Sequence, residues 1–241
     1  MYTCKKFDRA HSCLRFLIRE YKIREMYIPY YLCDVIRHTL FEEGCKPLFY
    51  HIDDYFMPLT DFPKESFILY PNYFGICRKN VEKLSKKYPK LIIDNAHAFF
   101  DDINGFACFN SGAKFGFGET AYLWIKDKNA RNNMQSEDYC FSDQTSANSL
   151  FLHKKQKCRN RFIEIHKTYS GINCLNINIS ENMFPFCYPL LTDTTETADK
   201  IVKELKKEGL TIYRYWNTLP KNFNEYKFYS RLVPIPIADV V

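Results

Sequence analysis

None of the ten cysteines stands in a C-x-x-C pair, which removes the zinc ribbon and the thioredoxin-type redox motif as readings. No apolar run approaches the roughly 20 residues that carry a helix across a bilayer, and the opening MYTCKKFDRAHSC lacks the apolar centre of a secretory leader. There is no concentrated basic tract either. The balance of 34 Lys and Arg against 28 Asp and Glu gives +6, and the lysines are scattered through the 80s, the 150s and the 200s. A solvated surface explains that balance better than nucleic-acid binding, while small acidic or phosphorylated ligands remain compatible with it. Internal repeats and low-complexity tracts are also missing. These absences lead to the expectation of a cytoplasmic protein with reduced, mostly buried thiols and with neither membrane nor nucleic acid as a partner.

What the sequence has is apolar bulk. Hydrophobic residues make up 46% and aromatic residues 17% of 241 positions, enough for a packed core and against general disorder. The length allows one large domain, or one large and one small. Along the chain, Ser12 to Lys22 reads as a helix capped by Ser12, Met26 to Pro29 as a short strand and Cys33 to Glu43 as a second helix stopped by Gly44. Strands follow at Pro47–Ile52 and Ser66–Tyr70, a helix at Val81–Tyr88, and a fully apolar strand, Leu91-Ile92-Ile93, closed by Asp94. Phe106–Phe109 and Ala121–Ile125 read as strands on either side of Lys114. Residues 126–165 are polar and poorly periodic, a loop leading into a helix near Asn148–Ile165. In the tail, Asn176–Ile179, Phe184–Leu191 and Leu210–Tyr215 read as strands around a strongly amphipathic helix, Thr194–Glu208, whose lysines at 203–207 form its wet face.

Alternating strands and helices argue for an α/β fold on a mostly parallel sheet with helices on both faces. The expected division is a large domain over residues 1–170 and a small C-terminal α+β domain over 171–241. Ligands of such sheets sit beyond the C-terminal strand ends. That rule gathers Asp94, the turn at 71–75 and the loop around Lys114 on one rim.

Asp94 closes a buried strand, where a carboxylate is costly without a cation such as a pyridinium. Lys114 lies in a glycine-containing turn between apolar strands, with Ser111 three residues before it. Ala10-His11-Ser12 precedes the first helix and suits a phosphate cradle. Asn72-Tyr73 and Trp216-Asn217 are candidate pocket residues, although aromatic packing in the core is an equal reading for them. The set has the parts a pyridoxal 5'-phosphate (PLP) enzyme needs: an amine, a carboxylate for the ring nitrogen and donors for the phosphate.

Taken in order, the motifs resemble the DegT/DnrJ/EryC1 family of PLP-dependent aminotransferases, which act on nucleotide-linked keto-sugars. The residues that carry the resemblance are Ala10-His11-Ser12-Cys13-Leu14, Pro29-Tyr30-Tyr31-Leu32-Cys33, Gly44 to Asp53, Asp94-Asn95-Ala96-His97, Phe109 to Lys114 and Gly118-Glu119-Thr120-Ala121. Phe184-Pro185, Tyr215-Trp216 and Leu232 to Ile237 extend it into the small domain. The resemblance implies fold type I (aspartate-aminotransferase-like) and a homodimer. It also implies glutamate or glutamine as donor, a keto-sugar as acceptor, and a place in surface polysaccharide biosynthesis.

By the same resemblance Lys114 holds PLP as a Schiff base and moves protons, Asp94 pairs with the ring nitrogen and Ala96 packs beside the ring. His97 lies near the phenolic oxygen, and Ser111, His11 and Ser12 take the phosphate. The sequence departs from the family in its shorter length, at His11 and at Thr120-Ala121. These departures motivate a second hypothesis from another class, a non-catalytic relative that serves as a binding or scaffolding protein. The retained pair of Asp94 and Lys114 favours the enzyme. Lys114 also argues against the sugar dehydrases of this group, in which a histidine replaces the lysine.

Overall fold

Leu91, Ile92 and Ile93 are all buried. Ile92 enters the hydrophobic cluster on one side of a sheet, and Leu91 and Ile93 enter the cluster on the other. This is the period-two alternation of a strand covered on both faces. The computed structural model describes residues 2–126, 145–179 and 183–237. Its first half runs β1 (Tyr2–Phe7), α1 (Ala10–Glu20), β2 (Glu25–Pro29), α2 (Asp34–Glu42), β3 (Lys46–Tyr50) and β4 (Ile68–Pro71). Next come α3 (Arg78–Lys87), β5 (Leu91–Asn95), β6 (Ala107–Asn110) and β7 (Ala121–Lys126). The remainder is α4 (Thr145–Tyr169), β8 (Cys187–Leu191), α5 (Thr195–Lys207), α6 (Tyr226–Ser230) and β9 (Leu232–Pro236).

Seven strands form one sheet in the order β1-β7-β6-β5-β4-β2-β3. The pairs β2/β3, β2/β4, β4/β5 and β5/β6 are parallel, whereas β6/β7 and β1/β7 are antiparallel. Helices α1 and α2 cover one face through Leu14, Leu17, Ile36 and Leu40. The other face carries α3, α4 and the C-terminal segment, whose β8 and β9 pair antiparallel as a two-stranded sheet. No helix among the described residues is long and apolar enough to cross a membrane. Nine cysteines are described; all nine are free thiols, and six of them are buried.

The structure corrects the sequence reading at several places. Helix α1 begins at Ala10, with Arg9 as its N-cap residue, so Ser12 sits within the first turn instead of capping it. The edge strand β1 was unread, because Lys5 and Lys6 break its apolar alternation; pairing with β7 from Tyr2↔Lys126 to Phe7↔Ala121 creates it. The segments 176–179 and 210–215 alternate like strands but have no ladder partner and run as irregular chain. Asn173 helps explain the first case: its Oδ1 accepts from the Leu175 and Leu191 amides at 3.0 Å, tying that stretch to the edge of β8 as a loop. By contrast α5 starts where it was expected, with the Thr194 hydroxyl accepting from the Thr197 amide at 3.1 Å. The loop expected over 127–144, and Cys140 within it, lie outside the described residues.

Candidate active site

The C-terminal ends of β4, β5 and β6 and the start of α1 converge on a cavity of about 530 Å³. Asp94, Ala96, His97, Ser111, Lys114 and His11 all line it. These residues come from three separate stretches of sequence, and parallel strand order brings them together. Ser12 is not in the wall; its hydroxyl lies near Asp8 and helps hold that carboxyl below the usual range. Asn72 and Trp216 line the cavity too. Tyr73 is fully buried, its hydroxyl donating to the Tyr31 carbonyl at 2.9 Å.

Asp94 ends its strand paired in register with Pro71 on one side and Phe109 on the other. Burial pushes its carboxyl up to about 6, while the Ala96 amide and the positive charge of Lys114 pull the other way. The Ala96 amide donates to Oδ1 at 2.9 Å. No other hydrogen bond within the described chain reaches this carboxylate. A half-buried acid so weakly compensated by its own chain is suited to a cationic N–H donor that arrives with a ligand. Behind it, Asn72 Nδ2 donates to Asn95 Oδ1 at 3.1 Å and to Asp101 Oδ2 at 2.8 Å, and Asn72 Oδ1 accepts from the Cys77 amide at 3.0 Å. This network fixes the rim on which Asp94 stands.

Lys114 occupies a 3-10 turn, Ala113–Phe115, released by Gly116 at φ 70°. Its Nζ lies 5.8 Å from the centroid of Phe186. Gly112 makes the turn possible: its amide donates to the Thr120 carbonyl at 2.7 Å, and a Cβ there would stand 2.5 Å from Thr120 Cγ2. His97 is buried in an aromatic stack, 5.0 Å from Phe186 and 5.7 Å from Trp216, with the Trp216 ring only 7° from parallel. Burial, assisted by the charge of Lys114, holds its imidazole well below the usual histidine range, so it is neutral. Trp216 and Phe74, both in this stack, have left-handed backbone at φ 60° and φ 55°; such strain in residues with side chains gathers at functional sites.

The start of α1 supplies amide donors and a positive dipole end to the same cavity. Asp8 stands there as well: its Oδ1 accepts from the Arg9 amide at 2.8 Å, and the Ser12 hydroxyl and the His11 charge help hold its carboxyl below the usual range. An anion at these amides shares them with Asp8. Asp8, Arg9, Cys33, Glu119, Arg214 and Tyr215 line the cavity and were not read from the sequence as site residues. The Arg-Tyr-Trp run at 214–216 is the available signal, since Trp216 is a candidate pocket residue and Arg214 stands two positions before it. A second cavity of about 1190 Å³ shares Ser111, Lys114 and Tyr215 with the first and extends along α4 past His153, Lys157 and Arg161.

The arrangement can hold a ligand with a basic ring nitrogen, a phosphate and a carbonyl carbon open to an amine. PLP fits that donor set: Asp94 for the ring nitrogen, Lys114 for the carbonyl carbon, and the α1 amides with Ser111 for the phosphate.

The fold is the one seen in solved PLP-dependent aminotransferases. Among solved structures, the chain is similar to the PLP form of Spr1654 from Streptococcus pneumoniae, assigned as a sugar aminotransferase, at 15% identity and TM-score 0.69 over 99% of this chain and 82% of that one. It is similar to a DegT DnrJ EryC1 StrS aminotransferase from Brucella abortus at 11% identity and TM-score 0.70, covering 98% and 80%. PseC of Helicobacter pylori, an aminotransferase involved in pseudoaminic acid biosynthesis, matches at 17% identity and TM-score 0.66, covering 97% and 81%. No protein-family model and no curated protein matches the sequence. At these identities the likeness establishes the fold, in agreement with the sequence reading.

Proposed function

We propose that this chain is a PLP-dependent aminotransferase of the DegT/DnrJ/EryC1 kind. It moves the amino group of glutamate or glutamine to a keto-sugar, giving a 2-oxo acid and an amino-sugar. The observation that carries this reading is the placement of Asp94 and Lys114 in the wall of one cavity, the carboxylate half-buried and the amine close enough to act on its ionisation.

Bound PLP supplies an electron sink that stabilises negative charge on the donor's α-carbon. Asp94 holds the ring nitrogen's proton, because a half-buried carboxylate is strongly favoured beside a cation. Lys114 Nζ would hold the cofactor and would be the base that moves a proton at the donor's α-carbon. Ala96 leaves room beside the ring. Neutral His97 offers an uncharged hydrogen-bonding group near the phenolic oxygen, and its aromatic stack keeps water away. Ser111, His11 and the amides of the first α1 turn would bind the phosphate, while Ser12 stands outside the cavity wall.

The acceptor is nucleotide-linked in this reading. His153, Lys157 and Arg161 recur at one-turn spacing on the α4 wall of the larger cavity, where a diphosphate finds positive charge. The structural neighbour assigned as a sugar aminotransferase supports a sugar as the acceptor. A cytoplasmic homodimer serving surface polysaccharide biosynthesis completes the proposal.

The test is an absorbance spectrum. Protein incubated with PLP is expected to show a visible band that Lys114→Ala lacks, and adding glutamate is expected to bleach it. A protein that takes up no PLP sinks the reading; uptake without any response to amino acids points to the non-catalytic relative.

A further inference from the structure

Among the described residues the Asp94 carboxylate has one hydrogen bond, from the Ala96 amide, so its position is inherited from the main chain around it. Asn72 grips that main chain. It stands one residue beyond β4, 1% exposed, and its backbone N–H donates to the Asp94 carbonyl at 2.9 Å. Its side chain reaches further. Nδ2 donates to Asn95, the residue after Asp94, and to Asp101, while Oδ1 takes the Cys77 amide at the entry to α3. Asn95 and Asp101 are the two ends of one turn. Inside it, the Ala98 amide meets the Asn95 carbonyl at 2.9 Å and the Asp101 amide meets the Ala98 carbonyl at 3.0 Å. One buried side chain therefore clamps both ends of the turn that leaves the Asp94 strand.

The clamp has a cost that packing alone does not require. Asp101 is 8% exposed, and burial pushes its carboxyl up to about 7, with the Asn72 bond and the charge of Arg78 pulling the other way. Arg78 is engaged by Glu82 and Asp102, so the donor that holds Asp101 is Asn72. Such a buried polar network adds little net stability, but with its members bonded it makes the surrounding chain rigid. His97, on the same turn, is held separately by its aromatic stack and by the Phe186 amide on its carbonyl. What the clamp is left to fix is Asp94.

We propose that Asn72 is a positioning residue for Asp94: by clamping Asn95 to Asp101 it fixes the carboxylate at the place where it meets the ring nitrogen of the cofactor. The ligand in this statement rests on the PLP reading; the clamp itself rests on the hydrogen bonds of Asn72. Asn72 lines the cavity, but its side-chain amide is spent on the protein, so it acts through Asp94 and not by its own contact with the ligand. A carboxylate held in place before the ligand arrives loses no freedom on binding it.

Trp216 lines the cavity and the second tryptophan, Trp124, is buried in β7, so quenching of Trp216 emission reads ligand affinity without catalysis. The ligands are PLP and its carbon analogue, in which C–H replaces the ring nitrogen. Asn72→Ala is expected to weaken PLP about tenfold and the analogue less than about threefold, since only PLP offers Asp94 a cation. Combined with Asp94→Asn the losses should not add, because both variants act on one contact. Asp101→Ala should reproduce the effect from the other end of the clamp, and decides the case if Asn72→Ala does not fold. Asp101→Asn keeps an acceptor for Nδ2 and should retain most of the affinity. Equal losses for PLP and the analogue, or additive losses in the double variant, overturn the proposal. Amide exchange in cofactor-free protein separates the clamp from the PLP reading. In Asn72→Ala the Ala98 and Asp101 amides should exchange at least about tenfold faster while β5 keeps its protection. That result in a chain that takes up neither ligand leaves the clamp standing and overturns the PLP reading; unchanged exchange overturns the clamp.

Discussion

At the scale of single residues, the half-buried acid Asp94 makes stability depend on pH in a defined direction. Its folded value of about 6 lies above the ordinary 3.8, so the folded protein holds this proton more tightly than the unfolded chain does. The associated stability is complete below pH 3.8 and is lost as pH rises through about 6. Two units correspond to about 3 kcal/mol. Asp94→Asn should remove that dependence, so denaturant midpoints measured without cofactor between pH 4 and 7 should fall less steeply in the variant than in wild type. Equal slopes would show that Asp94 is ionised at little cost and is not waiting for a cation. Asp101, pushed up to about 7 by burial, contributes a parallel trend in both proteins and cancels in the comparison. Asp94 was legible as a site residue because its strand is apolar up to that position. Arg214 was not, because nothing in its local sequence distinguishes it from a surface arginine; its burial is a property of the packed chain.

At the scale of elements, the turn after β4 decides how closely the His97 segment approaches the sheet rim. Gly75 has φ +78°, and a Cβ there would stand 2.5 Å from the His97 carbonyl oxygen and 2.8 Å from Pro185 Cα, both backbone atoms with little room to retreat. Phe186 caps the same contact, its amide reaching the Phe74 and His97 carbonyls at 3.1 and 3.2 Å. Gly75→Ala should therefore destabilise the protein by about 2–4 kcal/mol, read as a lowered urea midpoint, and should weaken PLP uptake by displacing His97. A midpoint unchanged from wild type would mean the turn relaxes freely. Elements with strong local signals were read well: α2, α3 and β5 carry their periodicity in sequence, and α5 carries its periodicity and its Thr194 cap. The edge strand β1, the early start of α1 and the unpaired segments 176–179 and 210–215 were misread because a strand exists only where a neighbour supplies its ladder.

At the scale of the whole molecule, the two cavities that meet at Lys114 are walled by the sheet rim, by α4 and by the C-terminal segment. If the α4 side receives a diphosphate, the double variant Lys157→Gln and Arg161→Gln should raise KM for a nucleotide-linked acceptor about ten- to a hundredfold. The bleaching of the PLP band by glutamate should be unaffected. Both residues are exposed, so stability should change little. Equal losses in both half-reactions would assign α4 a structural part.

The sequence by itself determined the α/β class, the alternation that covers β5 on both faces, the Thr194 cap of α5, and the candidate pair Asp94 and Lys114. Each of these follows from local periodicity or from the cost of a charge at the end of an apolar strand. Only the tertiary structure decided that Asp94, His97, Ser111 and Lys114 share a wall with Arg214 and Trp216, that Ser12 stands outside that wall, and that a second cavity opens on the far side of Lys114. Those facts depend on strand order and on how the C-terminal segment packs across the sheet, and contacts between residues a hundred positions apart leave no periodic trace in the chain.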